Sequence, residues 1–317
     1  MERDVRMFYP LGTETRIRGR DFRRVRHDPV NLESRGVRVD SWQSERAPVN
    51  ADVISLGGTS ASWLANELDN HGVVLLRDVF SDQWLEALRV SVTDYIAGHG
   101  DGDFLIAEAD HKIGSPAHQL VSDPALRQLF SEAARLRWPK SRSAHDIRYA
   151  IPVRAGTAPK WRSNLFHYDA SVLTMLVPIF IPRATIGNCG ELAAIANKRP
   201  FRHFVASHLV DTVLTQNSLY RRHVTKKVLD APEKYLVAFQ PGDACIFWGY
   251  RTLHGNLVCA PGLLRATLVL QYGEVHPENR VLKVAWRFSR SRRALSDFQY
   301  RPAIPADSEQ GLAGQFA

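Results

Sequence analysis

Cysteine is scarce: three residues, Cys189, Cys245 and Cys259, occur among 317, and no two of them form a C-x-x-C pair. An odd count without that spacing argues against a disulfide framework and fits thiols buried in a reducing compartment. Long hydrophobic runs are lacking too. The longest, about Val172 to Ile181, falls short of the ~20 residues that span a bilayer. The first 30 residues are rich in arginine and hold no apolar core of the kind a secretory leader needs. Internal repeats and low-complexity tracts are missing. The spacing of a helical zinc motif is also missing, because His203 and His208 stand five apart rather than four, and His111, His118 and His145 have no partner pattern. These absences leave a soluble cytoplasmic protein as the expectation, with contact at the inner membrane surface as a peripheral variant.

What is present is ordinary for a folded chain: 44% hydrophobic and 23% charged residues, and a length compatible with one jelly-roll or barrel domain or with two smaller ones. Charge is uneven. Lys and Arg exceed Asp and Glu by eight, 41 against 33. Residues 1–50 carry 11 arginines against 8 acids, and residues 280–301 carry seven basic residues against Asp297, interleaved with Trp286, Phe288, Phe298 and Tyr300. We therefore divide the chain into a basic N-terminal arm at 1–59, a folded domain at 60–280 with a helical insertion at 197–232, and a basic C-terminal extension at 281–317. The positive balance favours an anionic substrate through electrostatic steering.

Within the domain, the periodicity predicts a helix from Ser60 with Trp63, Leu64 and Leu68 on one side and Gly72 as its stop. Val73–Leu76 reads as a short strand. A second helix follows Ser81 as N-cap, with Leu85, Leu88, Val92 and Ile96 at spacings of three and four, and a third starts at Asp123-Pro124. Ile147–Val153 and Leu165–Ile181 read as strands, the latter rich in β-branched and aromatic residues and carrying Pro178, which a helix interior would not tolerate. In the insertion, Phe204, Leu209, Val213 and Leu214 are expected on the apolar side, followed by the basic run Arg221-Arg222-His223 and Lys226-Lys227. The turn Gln240-Pro241-Gly242-Asp243 precedes a strand at Ala244–Trp248.

The chemistry concentrates at Phe166-His167-Tyr168-Asp169. On a strand, residues two apart share a face, so His167 and Asp169 project together and Tyr168 turns away. One imidazole and one carboxylate are two thirds of a 2-His-1-carboxylate triad, a ligand set that holds Fe(II) and leaves positions open. His254, 85 residues further on, is the candidate for the third. Ala260-Pro261-Gly262 then marks a turn, which predicts a hairpin with Thr267 or Leu268 opposite His254 and, in one register, His254, Thr267 and Arg265 on one face. A buried guanidinium at Arg265 needs an anion, which a bound dicarboxylate would supply.

The ordered set of H-x-D, a histidine after a Pro-Gly-Asp turn and an arginine soon after resembles the iron and 2-oxoglutarate dependent dioxygenases. Within them it resembles the phytanoyl-CoA dioxygenase-like branch, over roughly residues 60–275. His71-Gly72-Val73-Val74-Leu75-Leu76-Arg77-Asp78-Val79-Phe80 is similar to that branch as well. The resemblance implies a mainly β fold with flanking helices, a double-stranded β-helix of the jelly-roll, cupin-like type. It implies Fe(II) on His167, Asp169 and His254, 2-oxoglutarate gripped by Arg265 with hydrogen bonds from Asn256 and Thr267, and O2 as oxidant. The carboxylate at 169 points to hydroxylation, since halogenating relatives lack it. Gly187-Asn188-Cys189-Gly190-Glu191-Leu192 starts like the family segment but continues with Ala196, Lys198 and Arg199, so a phytanoyl-CoA substrate is not implied. Trp161, Arg162 and Tyr168 flank the metal segment and are candidates for the substrate mouth. The substrate classes that remain are an anionic small molecule, an acidic or phosphorylated sugar, a thioester or a glycolipid. An AlkB-like nucleic-acid demethylase would share the iron site but carry a second arginine six residues after the first, where Gln271 stands. A non-catalytic cupin-like binding protein would show clustered histidines with a glutamate. Oligomeric state is not legible.

Overall fold

Ser60, Ser81 and Asp123 each use a side-chain oxygen to accept the backbone N–H three residues on, from Trp63, Trp84 and Leu126. Those bonds satisfy donors that a helix N-terminus otherwise leaves open, and three helices begin there: α1 (Ala61–Asn70), α2 (Asp82–His99) and α4 (Pro124–Arg137). The computed structural model describes residues 53–276 except 101, 108–113, 140–146, 156–162, 203–209, 212–213 and 216. The arm at 1–52, the basic extension at 281–317, Trp161, Arg162, Phe204, Leu209 and Val213 lie outside the described residues. Between α2 and α4 stands α3 (Pro116–Ser122), capped by Ser115 with proline in its first turn, a signal of the same kind that the sequence reading passed over. Past the end of α1, Gly72 takes φ +80°, and Ala196 fills the place where a Cβ would fall, 2.1 Å away.

Among the described residues, eight strands follow from the β-branched and aromatic runs: β1 (Val73–Leu76), β2 (Asp103–Ala107), β3 (Arg148–Arg154), β4 (Ser171–Phe180), β5 (Leu192–Ile195), β6 (Ala244–Trp248), β7 (Leu253–Asn256) and β8 (Arg265–Glu274). They form a six-stranded antiparallel sheet in the order β1-β6-β4-β8-β3-β2 and a two-stranded sheet, β5-β7. From β4 onward the chain alternates between the sheets, β4, β6 and β8 in the larger and β5 and β7 in the smaller. That winding is the double-stranded β-helix, the jelly-roll class anticipated from the sequence.

The central strands β4 and β6 of the larger sheet are buried on both faces, which is why β4 reads as a nearly continuous apolar run, whereas β3 alternates. Leu173, Met175, Val177 and Ile179 join Leu64, Leu88, Phe130, Ile246 and Leu268 beneath the helices. Leu176 faces the other way, with Leu75, Leu192, Phe239, Cys245 and Phe247, into the space between the sheets. Pro178 sits beyond the end of the β6 pairing and at a register shift against β8, where a missing N–H costs no ladder bond. The insertion supplies α5 (Ser218–Asp230) and the short α6 (Pro232–Tyr235). Val224 and Val228 of α5 pack on Phe166, Ala193, Leu253 and Leu257, outside the smaller sheet. Leu214, expected on the apolar side, is 54% exposed; the buried stripe belongs to α5 instead.

Two expectations are corrected. The stretch 166–170 is not part of β4, which starts at Ser171. More consequentially, β7 and β8 are not a hairpin. β7 pairs with β5, setting His254 opposite Ala194, while Thr267 of β8 stands opposite Pro178 of β4. The reason is a competing partner. After β7 the chain keeps pairing with the segment before β5, through Leu257 N–H to Glu191 O, Gly190 N–H to Val258 O and Ala260 N–H to Asn188 O. The Ala260-Pro261-Gly262 turn therefore carries the chain from one sheet to the other.

Candidate metal centre

The segment before β4 keeps its strand-like alternation through two isolated pairings. His167 and His254 exchange both backbone hydrogen bonds, at 2.8 and 3.0 Å, and Asp169 N–H donates to Gly249 O at 3.0 Å. The exchange makes His167 and His254 a directly opposed pair and sets their rings on one side, centroids 4.5 Å apart. Asp169, two residues on, falls on the same side. Its Oδ1 lies 3.6 Å from His167 Nε2 and its Oδ2 lies 3.6 Å from His254 Nε2. One donor atom from each of the three lies within 4.8 Å of the others, the one such His/Cys/Asp/Glu cluster among the described residues.

Backbone carbonyls select the tautomer. His254 Nδ1–H donates to Thr252 O at 3.0 Å and His167 Nδ1–H to Leu165 O at 3.2 Å, and the Nε2 atoms of both rings face the Asp169 carboxylate. Thr174 Oγ1–H donates to Asp169 Oδ2 at 2.5 Å and fixes the carboxylate. Burial pushes the Asp169 carboxyl up, but His254, His167 and the Thr174 hydroxyl outweigh it and hold the group well below the usual carboxylate range. Burial dominates at His254 and lowers its pKa to about 4, against the pull of Asp169. At neutral pH the cluster is thus one carboxylate and a neutral His254 imidazole beside the His167 ring, a donor set suited to a divalent cation.

Two glycines make room for it. A Cβ at Gly249 would meet Thr174 Oγ1 at 2.3 Å, Ser171 Oγ at 2.9 Å and Asp169 Cβ at 3.0 Å; one at Gly255 would meet Leu165 O at 2.6 Å. The sequence reading missed Gly249, Gly255 and Thr174, because a close approach between distant segments leaves no local pattern. Gly249→Ala is expected to displace Asp169 and cost about 1–3 kcal/mol of stability. Its measurable consequence is a metal affinity at least tenfold weaker at a melting temperature only several degrees lower. The turn holding Gly249 is tied down by Asp69, which accepts from Trp248 Nε1 at 3.0 Å and Arg251 at 2.6 Å and also pairs with Arg137.

Further along the interior is a buried cation. Arg265, 3% exposed, donates from Nη2 to Asn256 Oδ1 at 3.1 Å. No carboxylate among the described residues pairs with it, and its Nε has no hydrogen-bond partner. Thr267, on the same face of β8, is equally buried with an unpartnered hydroxyl. Burial lowers the Arg265 pKa to about 10, with Cys259 and Glu191 opposing and Arg154 reinforcing the shift, so the guanidinium stays charged at neutral pH. Two orphaned polar groups and a buried charge without a salt-bridged carboxylate in one interior spot fit an anion that bridges them.

Tyr168 packs on a guanidinium. It turns to the opposite face from His167 and Asp169, where the Arg199 guanidinium lies 3.9 Å from its ring and 4.0 Å from that of Tyr250. Arg199 also donates to Tyr250 O and to Asp211. Burial, with Tyr220 adding and Arg199 subtracting, pushes the Tyr168 hydroxyl up to about 12. The basic run maps onto α5. There Arg221, Arg222 and Lys226 line a cleft of about 550 Å³ together with Ser163 and Asn164, and Asn164 N–H donates to Asn256 O.

No family model matches the chain, and no curated protein does. Among solved structures it is similar to a Pseudomonas putida prolyl-4-hydroxylase (13% identity over 68% of this chain and 98% of that one, TM-score 0.42). It is also similar to AviO1 from Streptomyces viridochromogenes (14%, 69% and 96%, TM-score 0.44) and to EctD from S. alaskensis with bound Fe (16%, 71% and 82%, TM-score 0.40).

Proposed function

We propose that this protein is a non-haem iron(II) and 2-oxoglutarate dependent oxygenase that hydroxylates an aliphatic C–H bond. The observation that carries the reading is the pairing of two features in one interior: a His167–Asp169–His254 cluster whose imidazole nitrogens face one carboxylate, and a buried Arg265 that forms no salt bridge with a carboxylate among the described residues, with the unpartnered Thr267 hydroxyl beside it. The first fits a divalent metal with open positions; the second fits the far carboxylate of a keto diacid. With both bound, the site supplies oxidation of a substrate by O2 coupled to decarboxylation of 2-oxoglutarate to succinate.

The chain's own residues do the rest. Leu165 O and Thr252 O hold the imidazoles in the ligating tautomer, and Thr174 holds the carboxylate. Leu176, Cys245 and Phe247 wall the interior with apolar surface, which keeps water from the reacting atoms. Asp169 as third ligand supports hydroxylation over halogenation. The phytanoyl-CoA dioxygenase-like branch is the reading within the class, supported by the buried Asp243 of the Pro-Gly-Asp turn, which accepts from Arg77 and from Gln240 N–H. The substrate we infer is anionic: a small acid, an acidic sugar or a lipid-linked headgroup, with the α5 cleft as the basic surface near the site. Peripheral contact with an anionic membrane belongs to the same reading; no helix among the described residues is long and apolar enough to cross one.

The test is succinate release from 2-oxoglutarate, with iron(II) and ascorbate, across a panel of anionic lipids, sugars and thioesters. We expect slow iron-dependent turnover without acceptor and at least tenfold stimulation by one class. Equal turnover with and without iron contradicts the proposal.

A further inference from the structure

We infer that Cys189 and Cys259 are a modification site, able to close into a reversible disulfide that ties the segment before β5 to the connection that leads into β8 at Arg265. The sequence reading treated all three cysteines as buried, isolated thiols. Cys245 is one, in the middle of β6, but Cys189 and Cys259 are only half-buried and directly opposed in an antiparallel bridge.

The type of bridge matters. The flanking bonds run from Gly190 N–H to Val258 O and from Ala260 N–H to Asn188 O, one residue to either side of the cysteines. Cys189 and Cys259 are therefore the non-hydrogen-bonded pair of that ladder. Such pairs bring their Cα atoms to about 4.5 Å with side chains close together, the near end of the roughly 4.4–6.8 Å range that a disulfide spans. At that spacing, rotation about the two Cα–Cβ bonds is enough to bring the sulfurs together. The contacts broken are weak. Cys189 Sγ accepts Ala184 N–H at 3.1 Å, and the thiols of Cys189 and Cys259 donate to Thr185 O and Leu263 O at 3.8 and 3.7 Å.

The neighbourhood gives the bond a consequence. A Cβ at Gly190, the residue after Cys189, would lie 2.7 Å from Arg265 Cδ and 3.1 Å from Cys259 Cβ. The pair thus sits against the stem of the Arg265 guanidinium. The bond would also close a loop of 70 residues, 189 to 259, that contains β5, the insertion, β6 and β7.

The oxidant is a low-molecular-weight disulfide such as oxidised glutathione. One cysteine thiolate attacks a sulfur of that disulfide, forming a mixed disulfide and releasing one thiol. The second cysteine thiolate attacks the protein sulfur of the mixed disulfide, forming the protein S–S bond and releasing the second thiol. Two S–H bonds are lost from the protein, and two electrons and two protons pass to the glutathione. Burial holds both thiols above their usual pKa, with Arg265 and Arg154 pulling Cys259 back and Glu191 adding to the rise at Cys189. Exchange is therefore slow at neutral pH and accelerates about tenfold per pH unit above it.

The experiment uses the full chain without metal or keto acid, so its outcome is independent of the oxygenase reading. The protein is equilibrated at pH 8.5 in mixtures of oxidised and reduced glutathione, alkylated under denaturing conditions, digested and read by mass spectrometry. We expect two of three thiols to vanish together, a linked peptide joining Cys189 and Cys259, full reversal by dithiothreitol, and Cys245 alkylated throughout. The oxidised form should melt about 5 °C above the reduced one, because the bond restricts the unfolded chain. Cys189→Ser and Cys259→Ser, each melting like the reduced wild type, should both lack the linked peptide. Three alkylatable thiols at every redox ratio, a glutathione adduct that does not resolve, or an oxidised form melting below the reduced one overturns the inference.

Discussion

Asp169→Asn should leave the metal-free protein folded and strip it of its metal. Asparagine keeps an oxygen for the Thr174 hydroxyl and the backbone bond to Gly249 O, and it removes a carboxylate that is 6% exposed. His254, His167 and Thr174 hold that carboxylate ionised, so its loss should lower the melting temperature without metal by a few degrees while leaving the protein folded. With metal the loss is larger. Loss of a residue that merely orients a ligand weakens metal binding about 10–100-fold, so loss of the anionic ligand itself should cost at least ~100-fold in affinity and in keto-acid turnover. Thermal melts with and without iron(II) or a redox-inert divalent ion check both halves. A variant that still gains stability from stoichiometric metal would show that the cluster is only a packing arrangement, and one that fails to fold would show that Asp169 is structural.

Arg265→Ala should act on the cosubstrate alone. Truncating one partner of a buried, hydrogen-bonded charge pair costs about 2–5 kcal/mol, so the KM for 2-oxoglutarate should rise by about 30-fold to several thousand-fold, with metal affinity nearly unchanged. Arg265→Lys should recover only part of this, since an ammonium cannot present the two parallel N–H groups of a guanidinium. Arg265→Met should melt at or above the wild type without ligand, because apolar volume replaces a buried charge whose desolvation outweighs its partners. The discriminating comparison is a keto acid without the far carboxylate. Its weak binding should be indifferent to the substitution, and a loss as large as that for 2-oxoglutarate would remove Arg265 from the role proposed.

Much of the fold was legible where local chemistry decides it. The Ser60, Ser81 and Asp123 caps, the apolar stripes behind them, and the Val73–Leu76 and Ala244–Trp248 strands depend on neighbours in sequence. The alternation at 167 and 169 was legible too, although not for the reason given by a continuous strand: it survives because His254 and Gly249 lend backbone partners from far away. Pairing between distant segments was not legible. The turn at Pro261 looks like a hairpin until Asn188–Glu191 is seen to take the backbone groups that β8 would have needed. The same blindness hid the close approach at Gly249, the cross-strand cysteines, and Arg199, whose two aromatic neighbours turn Tyr168 away from the centre.

The most direct test is calorimetric titration of 2-oxoglutarate under anaerobic conditions into the protein before and after loading with iron(II). One equivalent of metal should bind, and one equivalent of keto diacid should follow only when the metal is present, because its two ends need the cluster and Arg265 together. Binding of the diacid with equal affinity to the metal-free chain, or no metal uptake at all, would contradict the account.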